Sequence, residues 1–312
     1  MRTTKKTAKR VIARIPASTT NLGPGFDVLG LALRLYSTVT LEVTETSGNE
    51  VVVTGVDADK IPSTTEHVAF QAAELVLKRD GGKVPPGLKL SIDNGIPAIR
   101  GLGGSGTAIL GGLMTANELC DSPLSKEELL NLAAKLEGHP DNVAASYLGG
   151  LVVCAQEKGH VHTVQLRCPD ELSVVLAIPN FTLSTQQARS VLPQQVELAD
   201  AIYNTSRSSL LVAAIATGKL SLIAVAMKDR LHQPYRAALI PGFDDVGEAA
   251  VNAGAFSVAL SGAGPTLAAY CYRHLAKQIA EAMQAAFHVH QIQSETRMLE
   301  PDIRGAQIVS SE

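Results

Sequence analysis

Hydrophobic residues in the first half of the chain follow two periods, which predict strands first and helices afterwards. Apolar and β-branched runs predict strands at residues 11–15, 38–43, 51–54, 88–92, 151–154 and 164–166. Helical spacing or a run of small apolar residues predicts helices at 67–78, 106–119 and 126–136. Ser125 and Glu128 form a capping-box signature at the start of the third helix.

A second alternation of strands and helices begins after the turn residues Pro169 and Asp170. It predicts strands at 173–178, 257–260, 266–270 and 291–296, and helices at 199–215, 220–227, 246–253 and 275–287. No repeat of the solenoid kind interrupts this order. We therefore expect two domains, residues 1–170 and residues 171–312, each a layered α/β unit.

Composition indicates a globular protein that acts on a small molecule. Of the 312 residues, 46% are hydrophobic and 18% charged, and the formal net charge is −3. The one basic cluster, Lys5, Lys6, Lys9 and Arg10, is too short to predict nucleic-acid binding. No apolar run reaches the roughly 20 residues of a membrane span, and the N-terminus lacks a signal-peptide core. We expect a cytoplasmic protein without a membrane partner.

The four cysteines, at positions 120, 154, 168 and 271, show no C-x-x-C spacing. Such scattered positions argue against a zinc site and against a secreted disulfide framework. Reduced, mostly buried thiols are the expectation.

The stretch GLGGSG at residues 101–106 fits the dinucleotide pattern G-x-G-x-x-G, but its surroundings do not. The preceding strand ends near Ile92, Pro97 intervenes, and Glu118 and Asp121 fall at the end of the following helix instead of ending a second strand. A Walker loop is absent as well. Two interpretations remain: glycines and helical amides that cradle phosphate, or glycines that only let a helix pack closely on a sheet.

Three further stretches accompany this loop: PASTTNLGPGFDVLGLAL at 16–33, LEGHPDNVAASYLGGL at 136–151 and ALSGAGPTLAAY at 259–270. Together with GIPAIRGLGGSGTA at 95–108 they resemble the three motifs of the GHMP kinases, the family of galacto-, homoserine, mevalonate and phosphomevalonate kinases. EGHPDN, LSTQQARSVLP at 183–193 and HQPYRAALIPG at 232–242 are similar to its homoserine-directed members in particular. The resemblance extends from about Val11 to Thr296.

This resemblance implies an α+β fold of two α/β layers, a ribosomal-protein-S5-like N-terminal domain that binds ATP and a ferredoxin-like C-terminal domain. It also implies phosphorylation of the hydroxyl of L-homoserine, a step towards threonine, with ATP and Mg²⁺. The resemblance leaves the quaternary state open, and a homodimer is one assembly consistent with it.

The resemblance further implies which residues bind the nucleotide and the metal. The phosphate loop would comprise Pro97, Ala98, Ile99, Arg100, Gly101, Leu102, Gly103, Gly104, Ser105, Gly106 and Thr107. Ser105 and Glu137 would hold magnesium. The family loop usually reads P-x-x-x-G-L-G-S-S-A, so Gly104 stands where a serine is usual and Gly106 where an alanine is. The loss of one hydroxyl removes a hydrogen bond worth roughly 0.5 to 1.5 kcal/mol and should not abolish phosphate binding.

The substrate residues implied in the same way suit a zwitterion, with arginines for a carboxylate and acceptors for an ammonium group. They are Asn21, Asp27, His139, Asp141, Thr185, Arg189 and Arg236, with Asn21 and Asp27 as the acceptors for the ammonium group. The catalytic set is Asp141, Ser105 and Glu137, with Asp141 acting as a base or only orienting the hydroxyl.

Several of these residues and one further motif have a structural alternative. Glu137 could be an exposed helix end, Asp141 a helix N-cap, each arginine a surface residue, and SGAGPT at 261–266 a tight turn that only backs the site. Another small alcohol as substrate and a non-catalytic ligand-binding relative also remain as alternative functions, whereas an NAD-dependent oxidoreductase is disfavoured.

Overall fold

The strands of the computed structural model form two sheets within the residues that it describes, 9–80 and 84–312. Lys5 and Lys6 of the basic cluster lie outside these residues. The strands are β1 (Arg10–Asn21), β2 (Gly25–Val43), β3 (Gly48–Gly55), β4 (Gly87–Asn94), β5 (Leu151–Glu157), β6 (His160–Leu166), β7 (Leu172–Pro179), β8 (Ser257–Leu260), β9 (Leu267–Tyr272), β10 (Ser294–Leu299) and β11 (Gln307–Ser311).

Along the chain, the helices come mainly between strands of the same sheet. They are α1 (Val68–Arg79), α2 (Gly104–Leu119), α3 (Lys126–Glu137), α4 (Asp141–Leu148), α5 (Thr185–Ser190), α6 (Leu198–Ala216), α7 (Ile223–Ala226), α8 (Gln233–Arg236), α9 (Phe243–Asn252) and α10 (Ala276–Val289).

The first sheet has seven strands and is built on the long antiparallel pair β1 and β2. Its order is β11-β1-β2-β4-β3, and β5 and β6 extend it beside the first part of β2. The chain around Gly30 and Leu31 is predominantly apolar and its side chains are buried, as expected of a central strand covered on both faces. Helices α2 and α4 pack against β1 and β2, helices α1 and α3 pack against α2, and together with the sheet they form one core.

The second sheet has four antiparallel strands in the order β10-β7-β9-β8. Its connectivity, strand, helices, two strands, helix, strand, is that of a ferredoxin-like domain, and β7 is buried along its whole length. Helices α9 and α10 cover one face with a core of their own. The other face shares a core with the first sheet, so that Leu31 belongs to the same cluster as Leu176 and Ile215. This shared core holds the two layers together around the cleft between them.

The predicted fold class is confirmed, with differences at particular elements. The helix predicted at 220–227 is a 3₁₀ turn followed by the short α7, and the last predicted strand, 291–296, runs from Ser294 to Leu299. The shift follows from Gln291, which has a left-handed φ of 60° and therefore lies in a turn. Periodicity missed α4, α5, α8 and β11 because elements of four to eight residues carry too few repeats.

The boundary between the predicted domains falls between β6 and β7. The chain passes there from the first sheet to the second, but β11 returns to pair with β1. Residues 307–311 therefore belong by their hydrogen bonds to the first sheet and not to a second unit that runs to residue 312. No helix in the described ranges is long and apolar enough to cross a membrane.

Candidate active site

A cavity of about 370 Å³ lies where motifs from both layers meet. Its polar wall contains all seven residues predicted for the substrate: Asn21, Asp27, His139, Asp141, Thr185, Arg189 and Arg236. Nine of the eleven predicted phosphate-loop residues also line it, and Pro97 and Gly106 do not. An apolar wall is formed by Val39, Ile61, Pro62, Val68 and Ile92. The tertiary structure thus brings together motifs that are far apart in the sequence.

The glycine loop leads directly into helix α2, which begins at Gly104, two residues before the predicted start. Its N-cap is Gly103, which has a left-handed φ of 73° and offers no side chain to the first-turn amides. Those amides carry the positive end of the helix dipole and lie beside the cavity, where an anion would satisfy them. A Cβ at Gly103 would overlap Ser18 Oγ, so glycine is required there for conformation and for space.

The packing interpretation holds for two glycines of α2, and the phosphate interpretation stays a prediction for the loop before it. Gly111 and Gly112, in the middle of α2, allow contact with Val39 and with the backbone of Ala69, which is the packing role. The SGAGPT turn supports the loop: Ser261 Oγ donates to the carbonyl of Gly101 at 2.7 Å, and Gly262 and Ala263 line the cavity. The turn therefore both buttresses the loop and faces the ligand space.

Arg100, predicted to bind ATP, uses its side chain to brace the loop. Its Nε donates to the carbonyl of Pro179 at 2.9 Å and its Nη1 to Asp57 Oδ2 at 2.7 Å, and the residue is buried. Asp57 also accepts from the amide of Ala98 and from Lys60. Burial alone would raise the pKa of Asp57, but these hydrogen bonds and the charge of Arg100 lower it, so the carboxylate stays ionised. No sequence pattern marked Asp57.

Ser105 and Glu137, the predicted magnesium ligands, are in contact. Ser105 Oγ donates to Glu137 Oε2 at 2.8 Å, where α3 ends and Gly138 turns the chain with a φ of 90°. Burial raises the pKa of Glu137, and the Ser105 hydrogen bond opposes that rise. No cluster of three or more His, Cys, Asp or Glu residues occurs in the described part of the chain. Mg²⁺ is often held by one or two carboxylates together with substrate phosphates and water, and this pair fits that use.

Asp141 is buried and paired with His139, and it is not a helix N-cap. It is the first residue of α4, whose N-cap is Pro140. Its Oδ1 lies 2.8 Å from His139 Nδ1 and also accepts from the amide of Asn142. Burial alone would lower the pKa of His139, but the hydrogen bond and charge of Asp141 and the charge of Glu137 raise it. Asp141 Oδ2 has no hydrogen-bond partner among the described residues.

Asn21 and Asp27, predicted to accept from an ammonium group, are already engaged with protein groups. Asn21 Nδ2 donates to the carbonyl of Gly262, and Asn21 Oδ1 accepts from the amide of Asp27. The carboxylate of Asp27 forms a two-pronged ion pair with Arg189, with distances of 2.8 to 3.0 Å. Both residues have left-handed backbone, with φ of 70° and 58°, which orders the turn that carries them.

The two predicted arginines differ in their surroundings. Arg189, on the short helix α5 together with the exposed Thr185, is partly exposed. Arg236 is only 1% exposed, so the surface alternative is wrong for it. Burial, and next the charge of Arg189, lower the pKa of Arg236 to about 10, which leaves it a cation at neutral pH. The ring of Phe26 lies beneath both guanidinium groups. Its centroid is 5.3 Å from Cζ of Arg189 and 5.0 Å from Cζ of Arg236.

Sequence comparisons identify the family of this chain. The family model of the GHMP kinases N terminal domain matches residues 67–150, and that of the GHMP kinases C terminal matches residues 211–289. A homoserine kinase of Moorella thermoacetica is 46% identical over 298 residues, which cover 96% of this chain and 99% of that protein. This chain belongs to the homoserine kinases of the GHMP kinase family. Another homoserine kinase, of Synechocystis, is 44% identical over 94% of this chain and 96% of its own.

Structural comparison agrees as well. The crystal structure of homoserine kinase from Cytophaga hutchinsonii superimposes with a TM-score of 0.88 at 28% identity and covers 99% of each chain. The family assignment makes this protein a kinase that transfers phosphate to an alcohol group.

Several residues at the site were missed by sequence reasoning. Ser18 Oγ donates to Asn142 Oδ1 at 2.9 Å and so links β1 to α4 behind the phosphate loop. Phe26 and His232 stack on each other beside Arg236. All four lie inside motifs that the sequence marked, so the motifs were the available signal, although nothing in them indicated a role for these side chains.

Proposed function

We propose that this chain transfers the γ-phosphate of ATP to the side-chain hydroxyl of L-homoserine, which gives O-phospho-L-homoserine in threonine biosynthesis. The observation that carries the substrate assignment is Arg236, a buried cation that lines the cavity and forms no ion pair with a carboxylate in the described residues. A buried cation is costly without an anionic partner, so the geometry favours a substrate that brings a carboxylate.

The nucleotide occupies the other end of the cavity in this proposal. Its adenine lies against the apolar wall at Ile61 and Val68, and its phosphates meet the amides of the loop from Gly101 to Ser105. Ser105 and Glu137 hold Mg²⁺, which neutralises charge on the phosphates when it is bound. Phosphoryl transfer needs mainly positioning and charge neutralisation, and the loop, the helix terminus and this pair supply both.

The acceptor hydroxyl meets Asp141 between these two ends. Because Oδ1 already accepts from His139 and Asn142, the remaining oxygen, Oδ2, contacts the hydroxyl. The hydroxyl oxygen bonds to the γ-phosphorus while the bond from phosphorus to the oxygen of the β-phosphate breaks, and ADP leaves. The hydroxyl proton passes to Asp141 or to the transferred phosphate, with Asp141 then acting only to orient the hydroxyl. His139 holds Asp141 in place in either case.

We propose the cytoplasm as its location, and the four free cysteines are consistent with a reducing compartment. A homodimer remains a prediction.

A panel assay tests the proposed function. ADP release should be measured with ATP and Mg²⁺ in the presence of L-homoserine, mevalonate, galactose or L-threonine, and the phosphorylated product should be identified by mass spectrometry. Rapid release with L-homoserine alone, together with a phosphate ester on its hydroxyl, supports the proposal. Preference for another alcohol would assign a different substrate, and ATP binding without turnover of any alcohol would favour a ligand-binding relative.

A further inference from the structure

Behind Arg236 lies a buried histidine that does not itself line the cavity. His232 has no exposed surface and immediately precedes the short helix α8, which carries Arg236. Its Nε2 lies 2.7 Å from the carbonyl of Gly23, and its Nδ1 lies 3.3 Å from Arg236 Nη1. Its ring stacks on Phe26 with centroids 5.0 Å apart and an interplanar angle of 24°. The imidazole therefore joins Arg236 to the turn between β1 and β2.

The two partners of the imidazole determine which nitrogen carries the proton. A carbonyl can only accept, so the contact with Gly23 requires the hydrogen on Nε2. A guanidinium can only donate, so the contact with Arg236 requires a lone pair on Nδ1. Both conditions hold together only in the neutral ring with its hydrogen on Nε2. Burial lowers the pKa of His232, and it outweighs the neighbouring charge of Asp229.

Three of the donors of Arg236 are used within the protein. Nε donates to the carbonyl of Ala188 at 3.0 Å, and Nη1 faces both His232 and the carbonyl of Gly262. All three acceptors are neutral, so they orient the guanidinium without cancelling its charge. Nη2 has no hydrogen-bond partner in the described ranges of the chain, and Arg236 lines the cavity. The two N–H groups of Nη2 are therefore available to an anionic ligand.

We infer that His232 is a positioning residue for substrate recognition: as the neutral imidazole with its hydrogen on Nε2, it holds Arg236 in the orientation that receives the substrate carboxylate. The inference rests on the proposed function for the identity of that carboxylate. An arginine that is held before binding loses less side-chain freedom when the ligand arrives, so fixing it strengthens binding of the carboxylate end. Nucleotide binding at the far end of the cavity does not depend on this contact.

Two substitutions at His232 separate positioning from simple packing. His232→Phe keeps a flat ring against Phe26 but removes both hydrogen bonds. We expect it to raise the KM for homoserine about tenfold or more, with kcat changed less and the Kd for ATP changed less than about twofold. His232→Asn places an amide oxygen near the position of Nδ1, keeps the acceptor for Arg236 and loses the contact with Gly23. It should recover most of the loss in KM.

A matched control tests whether loosening the turn is sufficient. Asn204 holds the same turn from another side through the carbonyl of Pro24. It also binds Asp229 and the amide of Arg230, just before His232, but it forms no hydrogen bond with Arg236. Asn204→Ser should leave the KM for homoserine within about twofold of the wild-type value if the contact with Arg236 is what matters. An equal rise in KM for Asn204→Ser and His232→Phe would overturn the inference, as would an unchanged KM in His232→Phe or no recovery in His232→Asn.

The wild-type protein offers a test that needs no variant to fold. Long-range ¹⁵N–¹H spectra of protein labelled in histidine report the tautomer of each imidazole, and we expect the His232 signals to show hydrogen on Nε2 only, at neutral pH. Hydrogen on Nδ1, or a doubly protonated ring, would overturn the inference. If wild-type protein shows this tautomer and binds ATP but does not phosphorylate homoserine, the proposed function fails while the geometry of His232 stands.

Discussion

Arg189 Nη2 lies 2.8 Å from Asp27 Oδ1, so two side chains assigned from the sequence to opposite ends of the substrate form an ion pair with each other. They are 162 residues apart and come from different layers of the fold. The pair turns a planar guanidinium and a carboxylate towards the same cavity, where a zwitterion can meet both charges. In the proposed function, recognition of the two ends of the substrate is therefore coupled.

This coupling predicts non-additive effects. Asp27→Ala and Arg189→Ala should each lower kcat/KM for homoserine by roughly 10-fold to 100-fold, because each leaves its partner wrongly oriented and uncompensated. The kcat/KM of the double variant should be no more than about threefold below that of the less active single variant. A double-mutant cycle measures this, with the exposed pair Arg167 and Asp170 as control. Strictly additive losses at Asp27 and Arg189 would show that the two residues act independently.

Arg236 should be the more sensitive arginine because it is buried. Arg236→Ala should lower kcat/KM for homoserine by roughly 30-fold or more, as expected when a desolvated charged group loses its partner. Arg236→Lys should recover only part of this loss, since an ammonium group cannot form the planar two-point contact. ATP binding, measured separately by calorimetry, should hardly change. Loss of ATP binding with homoserine turnover retained would move Arg236 to the nucleotide site.

Removal of the charge of Glu137 tests the metal assignment. Glu137→Gln keeps an oxygen that can accept from Ser105 but can no longer offer a carboxylate to Mg²⁺. We expect kcat to fall on the order of 100-fold and the Mg²⁺ concentration needed for half-maximal rate to rise. Glu127→Gln, at an exposed position on the same helix, is the matched control. An unchanged Mg²⁺ requirement in Glu137→Gln would exclude this carboxylate as a ligand.

Gly104 can accept a side chain, and this allows the missing serine of the loop to be restored. No atom lies within 4 Å of a Cβ built at Gly104, and the residue is already helical. Gly104→Ser should therefore lower the KM for ATP a few-fold, consistent with one added hydrogen bond of roughly 1 kcal/mol. Gly103→Ser, which would overlap Ser18 and force a left-handed serine, should weaken both ATP binding and stability. A raised KM in Gly104→Ser would show that the added hydroxyl obstructs the phosphates.

The buried helix cap at His67 leads us to expect a loss of folding stability in acid. Its Nδ1 caps α1 by accepting from the amide of Ala69 at 3.0 Å, and burial lowers its pKa. The unfolded chain therefore takes up the proton first, so this contribution to stability is complete above about pH 6.5 and declines as the pH falls below that value.

His67→Asn keeps a capping oxygen that does not titrate in this range. It should retain stability at pH 7.5 and lose less than the wild-type protein at pH 5.5, as measured by urea unfolding at both pH values. His162→Asn, at an exposed position on β6, is the control. An identical decline in His67→Asn and wild-type protein would remove His67 as a source of the acid sensitivity.

Much of the fold could be predicted because its signals are local. The capping box at Ser125 and Glu128 forms as expected, since both partners lie within one helical turn. The glycine loop was placed correctly because left-handed backbone and close approach select glycine at Gly101 and Gly103. The short helix α4 was missed because Asp141 to Leu148 completes only about two turns.

By itself the sequence determined where the glycine loop, the longer helices and most strands would lie, since each depends on neighbouring residues. Only the tertiary structure decided what the charged side chains do. It directed the side chain of Arg100 to Asp57 and Pro179, paired Asp27 with Arg189, and buried Arg236 against His232. The physical reason is that the energy of a charge depends on its solvent exposure and on its nearest partners, and both are set by segments that the fold brings together from distant parts of the chain.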